Sequence, residues 1–120
     1  MICLMISFDS IPSIYIAQGT TDLRKGIDQL AALVQYRYSL SPFDNCLYIF
    51  CNKAHNRLKM LYWDGTGFWL LNKRLEEGTF KWDRKGDGCV TISHQQLRWL
   101  LEGLDMVQKR AFRTQNYESV

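Results

Sequence analysis

The side chains best suited to do chemistry lie between residues 46 and 82. Arg57–Trp63 and Phe68–Leu75 flank Asp64-Gly65-Thr66-Gly67, a composition that favours a tight β-hairpin turn. Pairing across that turn sets Trp63 opposite Phe68, Leu61 opposite Leu70, Lys59 opposite Asn72 and Arg57 opposite Arg74, whether two or four residues close the loop. Strand side chains alternate between faces. One face therefore carries Leu58, Met60, Tyr62, Trp69, Leu71 and Leu75, with Lys73 its only charge. The other carries Trp63, Phe68, Leu61 and Leu70 at one end, and Arg57, Lys59, Asn72 and Arg74 at the other. A four-residue turn over 76–79 predicts that Lys81 joins Arg74 on this second face.

Two arginines directly opposed across a strand pair repel each other unless something acidic covers them. Nucleic-acid phosphate is one such cover, with Trp63 and Phe68 available to stack on bases. An acidic protein surface is another, and so are Glu76 and Glu77 of the same chain. The plain alternative is a solvated face on which long basic stems lie over apolar neighbours. Large apolar patches rarely stay bare, so Trp63 and Phe68 favour a covered face, and a homodimer would cover it as well as DNA. The candidate nucleic-acid-binding set is Arg57, Lys59, Arg74, Lys81, Trp63 and Phe68. Net charge is only +3, too mild to require a nucleic-acid partner. Its distribution says more: residues 53–85 carry eight basic and four acidic side chains, residues 1–52 three and four, and residues 86–120 four of each.

Other chemistries find little support. No glycine-rich loop of P-loop or dinucleotide type occurs, and no Ser-His-Asp or Cys-His pattern is readable. His55 falls in a turn and His94 in a helix cap, where structural roles suffice. Most carboxylates sit at turns or helix ends. Asp64 and Asp83 could share a sheet edge, the minimum for a metal-dependent nuclease, but capping explains both. Cys3, Cys46, Cys51 and Cys89 form no C-x-x-C pair. Cys46 and Cys51, in one strand, face opposite ways, roughly 17 Å apart, and cannot share a metal; all four read as small buried hydrophobes with free thiols. The expectation is a protein without cofactor, metal or catalytic site of its own.

The elements that must position these residues follow from periodicity and turn chemistry. Residues 1–13 are a weakly specified lead-in. Ile14–Ala17 is β-prone. Asp22 supplies cap chemistry to a helix predicted over 22–37, with Leu23, Ile27, Leu30, Ala31 and Val34 on its apolar face and Gly26 inside it. Cys46–Cys51, Arg57–Trp63, Phe68–Leu75, Phe80–Trp82 and Cys89–Ile92 read as strands. Ser93-His94-Gln95-Gln96 fits a capping box opening a second helix with Leu97, Leu100, Leu101 and Leu104 on its stripe. Residues 106–120 form a polar tail. With the short 80–82 segment not counted separately, the β-α-β-β-β-β-α order predicts one α+β domain over 14–105, a mostly antiparallel sheet with two helices packed on one face. No segment approaches the ~20 apolar residues of a membrane span, and the opening MICLMISF lacks a basic leader, so a cytoplasmic location is expected.

Specific strings carry a resemblance. Thr21–Asp28, Ala31–Val34, Leu47–Asn52, Lys59–Leu70, Lys73–Trp82 and Leu97–Asp105 are similar to the TnpB-type accessory protein, the second open reading frame of bacterial insertion sequences that carry a TnpA–TnpB–TnpC set. That family is distinct from the RNA-guided nuclease sharing the TnpB name. The resemblance covers about residues 14–105, and Tyr62-Trp63-Asp64-Gly65 followed by Gly67-Phe68-Trp69 is its most specific block. The family usually has proline after Phe-x-Trp, where Asp83 stands here, which opens the question of how the chain leaves that segment. The resemblance implies a role in transposition beside a separate transposase, with element-end DNA, the transposase, sister proteins of the element or a second copy as partners. It implies no catalytic residues. DNA binding and DNA-free protein interaction both remain open at this point.

Overall fold

The computed structural model describes residues 7–83 and 85–107. Cys3, the rest of the 1–6 lead-in, Arg84 and residues 108–120 of the tail lie outside the described residues. Five strands form one sheet in the order β4-β3-β2-β1-β5: β1 Ser13–Ala17, β2 Cys46–Cys51, β3 Arg57–Trp63, β4 Phe68–Arg74 and β5 Cys89–Ile92. Helix α1, Ile27–Ala32, runs on as a π-helical turn over Leu33–Arg37, and α2 spans His94–Leu101. β1 and β2 pair in parallel around α1, while every other pair is antiparallel. This is an α+β sheet in the expected element order. The hairpin register is also the expected one, from Trp63 opposite Phe68 to Arg57 opposite Arg74.

The two helices do not share a face, contrary to expectation. Leu97 and Leu100 of α2 pack with Ile14, Ile16, Leu47, Ile49, Leu58 and Met60. Leu30 and Val34 of α1 pack with Ala17, Tyr48, Phe50 and Leu61, which point the other way from the same strands. The reason lies in β2, where Leu47 through Cys51 are all buried. A strand apolar on both sides needs cover on both sides. Leaving Tyr48, Phe50 and Leu61 bare would forfeit about 1.5–3 kcal/mol for each. The lead-in also contributes: Ile11 is 1% exposed and joins the α2-side core.

Residues 80–82 are not a strand. β4 stays an edge, and the chain after Leu75 crosses the end of the sheet instead of folding back along it. Leu75 N–H donates to the Asn56 carbonyl at 2.9 Å and Phe80 N–H to the His55 carbonyl at 2.6 Å. Phe80 and Trp82 plug the α2-side core, and the Trp82 indole N–H donates to the Gly19 carbonyl. With one backbone bond to the His55 carbonyl and no strand alongside, the Phe-x-Trp alternation buries two rings without forming a ladder. His55 sustains the crossing in a left-handed conformation, φ 60°, while 6% exposed. Asp83 then ties the exit to β1: its carbonyl accepts from Gly19 N–H at 3.0 Å, and its carboxylate from Gln18 Nε2 and Lys85 N–H, both at 2.9 Å. Gly86 sits over Gln18 with φ +82°, where an added Cβ would fall 2.6 Å from Gln18 Oε1.

The first helix starts later than its apolar spacing suggests. Residues 22–25 form a turn, and Gly26 is the N-cap, its N–H donating to Gln29 Oε1 at 3.1 Å. Glycine costs about 1 kcal/mol inside a helix but is well accepted as an N-cap, which settles the boundary. Asp22 spends its carboxylate on Arg24 instead of capping. The second helix opens as expected, with Gln96 N–H donating to Ser93 Oγ at 3.0 Å and Ser93 N–H to Gln96 Oε1 at 2.8 Å.

Candidate nucleic-acid interface

Because β3 and β4 keep the expected register, Arg57 and Arg74 face each other at the open end of the hairpin, with Lys59 opposite Asn72 beside them. The 22–25 turn leans over this end. Lys59 Nζ donates to the Lys25 carbonyl at 2.8 Å, so one cation of the set also anchors that turn. Together these segments enclose a concavity of about 360 Å³ lined by Arg24, Arg57, Lys59, Lys73 and Arg74, with Asn52, Asn72 and a single carboxylate, Asp22. Arg24 takes both Asp22 oxygens in a fork, closest contact 2.8 Å, which drives the Asp22 carboxyl far below its ordinary range. Arg74 pairs with Glu76 at 2.9 Å, an exposed pair of small net value. Among the described residues Arg57 makes no ion pair. Glu76 thus supplies part of the expected acidic cover, and Arg57 is left unmatched.

Trp63 and Phe68 are not at this site. Trp63 lies six positions along β3 from Arg57, roughly 20 Å at ~3.3 Å per residue, and α1 covers Leu61 between them. At the closed end Phe43 packs on both rings, with centroids 5.1 Å from Trp63 and 5.5 Å from Phe68; Trp63 and Phe68 are themselves 4.9 Å apart, edge to face. Both are half-buried, and Phe43, 54% exposed, presents the outer surface of the cluster. Lys81 is displaced as well. With residues 80–82 outside the sheet, it lines an open concavity with Trp82, Ile92 and Met106 on the α2 side, away from Arg74. The structure therefore gathers Arg57, Lys59 and Arg74, adds Arg24, brings Lys73 to the rim from the opposite face of β4, and separates Trp63, Phe68 and Lys81. Arg24 was hidden in the sequence by the longer helix, although Gly26 inside an apolar pattern is a recognised boundary signal. Phe43 carried no periodic signal at all.

The remaining reactive groups are engaged locally. Asp64 Oδ1 accepts from Thr66 N–H, Thr66 Oγ1 and Gly67 N–H, and Oδ2 from the Trp69 indole at 2.8 Å. The backbone donors foremost, with Trp69, hold its carboxyl down to about 2. Asp83 lies by β1, not with Asp64 at a common edge. Cys46 and Cys51 belong to opposite faces, and burial pushes the Cys51 and Cys89 thiols up to about 12. His94 Nε2 bonds the Ile11 carbonyl at 2.8 Å. Among the described residues no group of three or more His, Cys, Asp or Glu is placed to hold a metal ion, and no helix is long and apolar enough to cross a membrane.

Comparison with known proteins bears on the whole of this sheet. The chain is 40% identical over 92 residues to uncharacterized protein y4hO of Sinorhizobium fredii, covering 77% of this chain and 80% of that one. It is 35% identical over 92 residues to uncharacterized protein y4jC of the same organism, covering 77% and 79%. No solved structure matches. The profile described as IS66 Orf2 like protein matches residues 12–111, from the start of β1 to beyond α2. The hairpin, its basic end and its aromatic end all fall inside that match, and the chain belongs to the IS66 Orf2-like family.

Proposed function

We propose that the protein is an accessory factor of insertion-sequence transposition that contacts element DNA through the basic concavity at the open end of the hairpin. The observation that carries this reading is one hollow lined by Arg24, Arg57, Lys59 and Arg74, from the 22–25 turn, β3 and β4, whose only carboxylate is already taken by Arg24. A directly opposed Arg57–Arg74 pair is unfavourable in isolation and becomes favourable once a phosphate bridges it. Strand cleavage and joining are left to a separate transposase. The engagement of every Asp64 oxygen by hairpin donors supports that division of labour, and magnesium-stimulated cleavage abolished by Asp64→Asn would contradict it.

A gel-shift titration at low salt tests the DNA reading. Binding is expected to weaken steeply with salt, since phosphate contacts release counterions. Arg57→Glu with Arg74→Glu is expected to weaken it by well over tenfold; unchanged affinity sinks the proposal. A second reading draws on the exposed Phe43 cap over Trp63 and Phe68, whose aromatic composition suits a protein interface anchor. It holds that the chain contacts the transposase, a sister protein or a second copy without nucleic acid. Co-purification of the element's proteins with Phe43→Ser, which leaves the basic end intact, separates the two.

A further inference from the structure

The basic surface continues past the hairpin. On the far side of the 20–25 turn lies a second hollow, of about 140 Å³, lined by Thr20, Thr21, Lys25, Arg37 and Tyr38. Asp22 borders both hollows and is the one carboxylate lining either. Its charge is already matched by Arg24. Arg37 is held with its guanidinium carbon 5.6 Å from the centre of the Tyr38 ring, a geometry that orients the cation over an aromatic face. Lys25 lines the second hollow, and its carbonyl accepts from Lys59, which lines the first. One exposed turn thus has unmatched cations on both sides.

An isolated phosphate or carboxylate would need one such hollow. Two of them flanking a turn suit a polyanion whose charges repeat. Single-stranded nucleic acid is held by cations interleaved with stacking rings; here the Trp63–Phe68–Phe43 cluster lies at the other end of the hairpin with its rings against one another, and the one ring lining the hollows, Tyr38, already has Arg37 over its face. Resting on the DNA reading above, we infer that the partner is a DNA duplex read through its backbone, and that Lys25 and Arg37 are further phosphate ligands on a track that rounds the 20–25 turn. The contact reads charge and spacing, so it is independent of base sequence.

Fluorescence anisotropy with the full chain and a labelled 20-base-pair duplex, repeated across salt concentrations, tests this. Each lost duplex phosphate contact lowers the slope of log affinity against log salt by about 0.9. Lys25→Gln with Arg37→Gln is expected to lower it by about 2, equally for unrelated duplexes, and additively with Arg57→Gln plus Arg74→Gln. Arg37→Lys, which keeps the charge, is expected to retain the slope, and an unchanged far-ultraviolet circular dichroism spectrum controls for folding. If the hairpin pair lowers the slope and the Lys25/Arg37 pair does not, the second hollow makes no contact and this inference fails while the hairpin reading stands. If neither pair changes it, or the wild type does not bind, both fail. A single strand of equal length binding tenfold tighter than the duplex overturns the duplex assignment.

Discussion

The two ends of the β3–β4 hairpin belong to one strand pair yet meet their surroundings in different ways. At the closed end every strong group has a partner within the fold. Trp63, Phe68 and Phe43 pack ring to ring, and Asp64 accepts three hydrogen bonds from the turn it begins and a fourth from the Trp69 indole of β4. At the open end Arg57 faces Arg74, and cations from three segments crowd one hollow. Both ends contain residues that look equally functional in the sequence. The difference teaches that residue type nominates a site, while the degree to which the fold satisfies each group decides between candidates. A satisfied aromatic–carboxylate tip stabilises the hairpin. The basic end is satisfied only in part: Arg24, Arg74 and Lys59 have partners, while Arg57 makes no ion pair among the described residues.

That contrast can be broken at three points. The largest expected effect is at the closed end. Trp63→Ala removes a half-buried ring contacting two others, and should cost about 2 kcal/mol in urea denaturation, below the 3–5 kcal/mol of fully buried aromatics. DNA affinity should stay within about twofold. A strong loss of binding without loss of stability would return Trp63 to the binding surface and erase the distinction between the ends.

Asp64→Ala should have a smaller effect with a pH signature. The folded carboxyl is held down to about 2 from an ordinary value of 3.8, so folding favours the charged form. The stabilisation is fully present above pH ~4 and is lost as pH falls through about 2. The melting temperature of the wild type should exceed that of Asp64→Ala above pH ~4, with the gap closing toward pH 2. A pH-independent gap would mean that the carboxylate does not hold the turn. The smallest effect is at the open end. Arg57→Gln removes one of two opposed cations and should raise stability by ~0.3 kcal/mol while weakening DNA binding. A loss of stability instead would show that Arg57 is structurally engaged and that the open end is satisfied after all.

Much of the sheet is legible in the residues because its determinants are local. Asp64-Gly65-Thr66-Gly67 sets the hairpin register through a turn of four residues, and the Ser93–Gln96 capping box sets the start of α2. Three strands begin and end where alternation and turn residues put them. The misjudged segments failed for nonlocal reasons. Phe80–Trp82 has strand composition, but the chain after Leu75 crosses the end of the sheet instead of returning along the open β4 edge, so its rings fill the core without a ladder. Apolar spacing extends the first helix back to residue 22 because Leu23 continues it, whereas Gly26 interrupts the helix and caps it. Register carried through the 76–79 turn puts Lys81 on the basic face, but that turn leads to the α2 side.

The amino-acid sequence by itself determined which side chains share a face, which residues oppose each other across the hairpin, and the family to which that hairpin belongs. Alternation and turn geometry act over a few residues and need no knowledge of the rest of the chain. Only the tertiary structure decided what covers each face. β2 is apolar on both sides, so α1 and α2 were driven to opposite faces, and α1 came to lie across the middle of a surface that alternation alone presents as continuous. That placement parted the aromatic end from the basic end and brought Arg24 and Lys25 over Arg57 and Lys59. Burial is a property of the whole packed chain, and a one-dimensional pattern does not specify which distant element arrives to provide it.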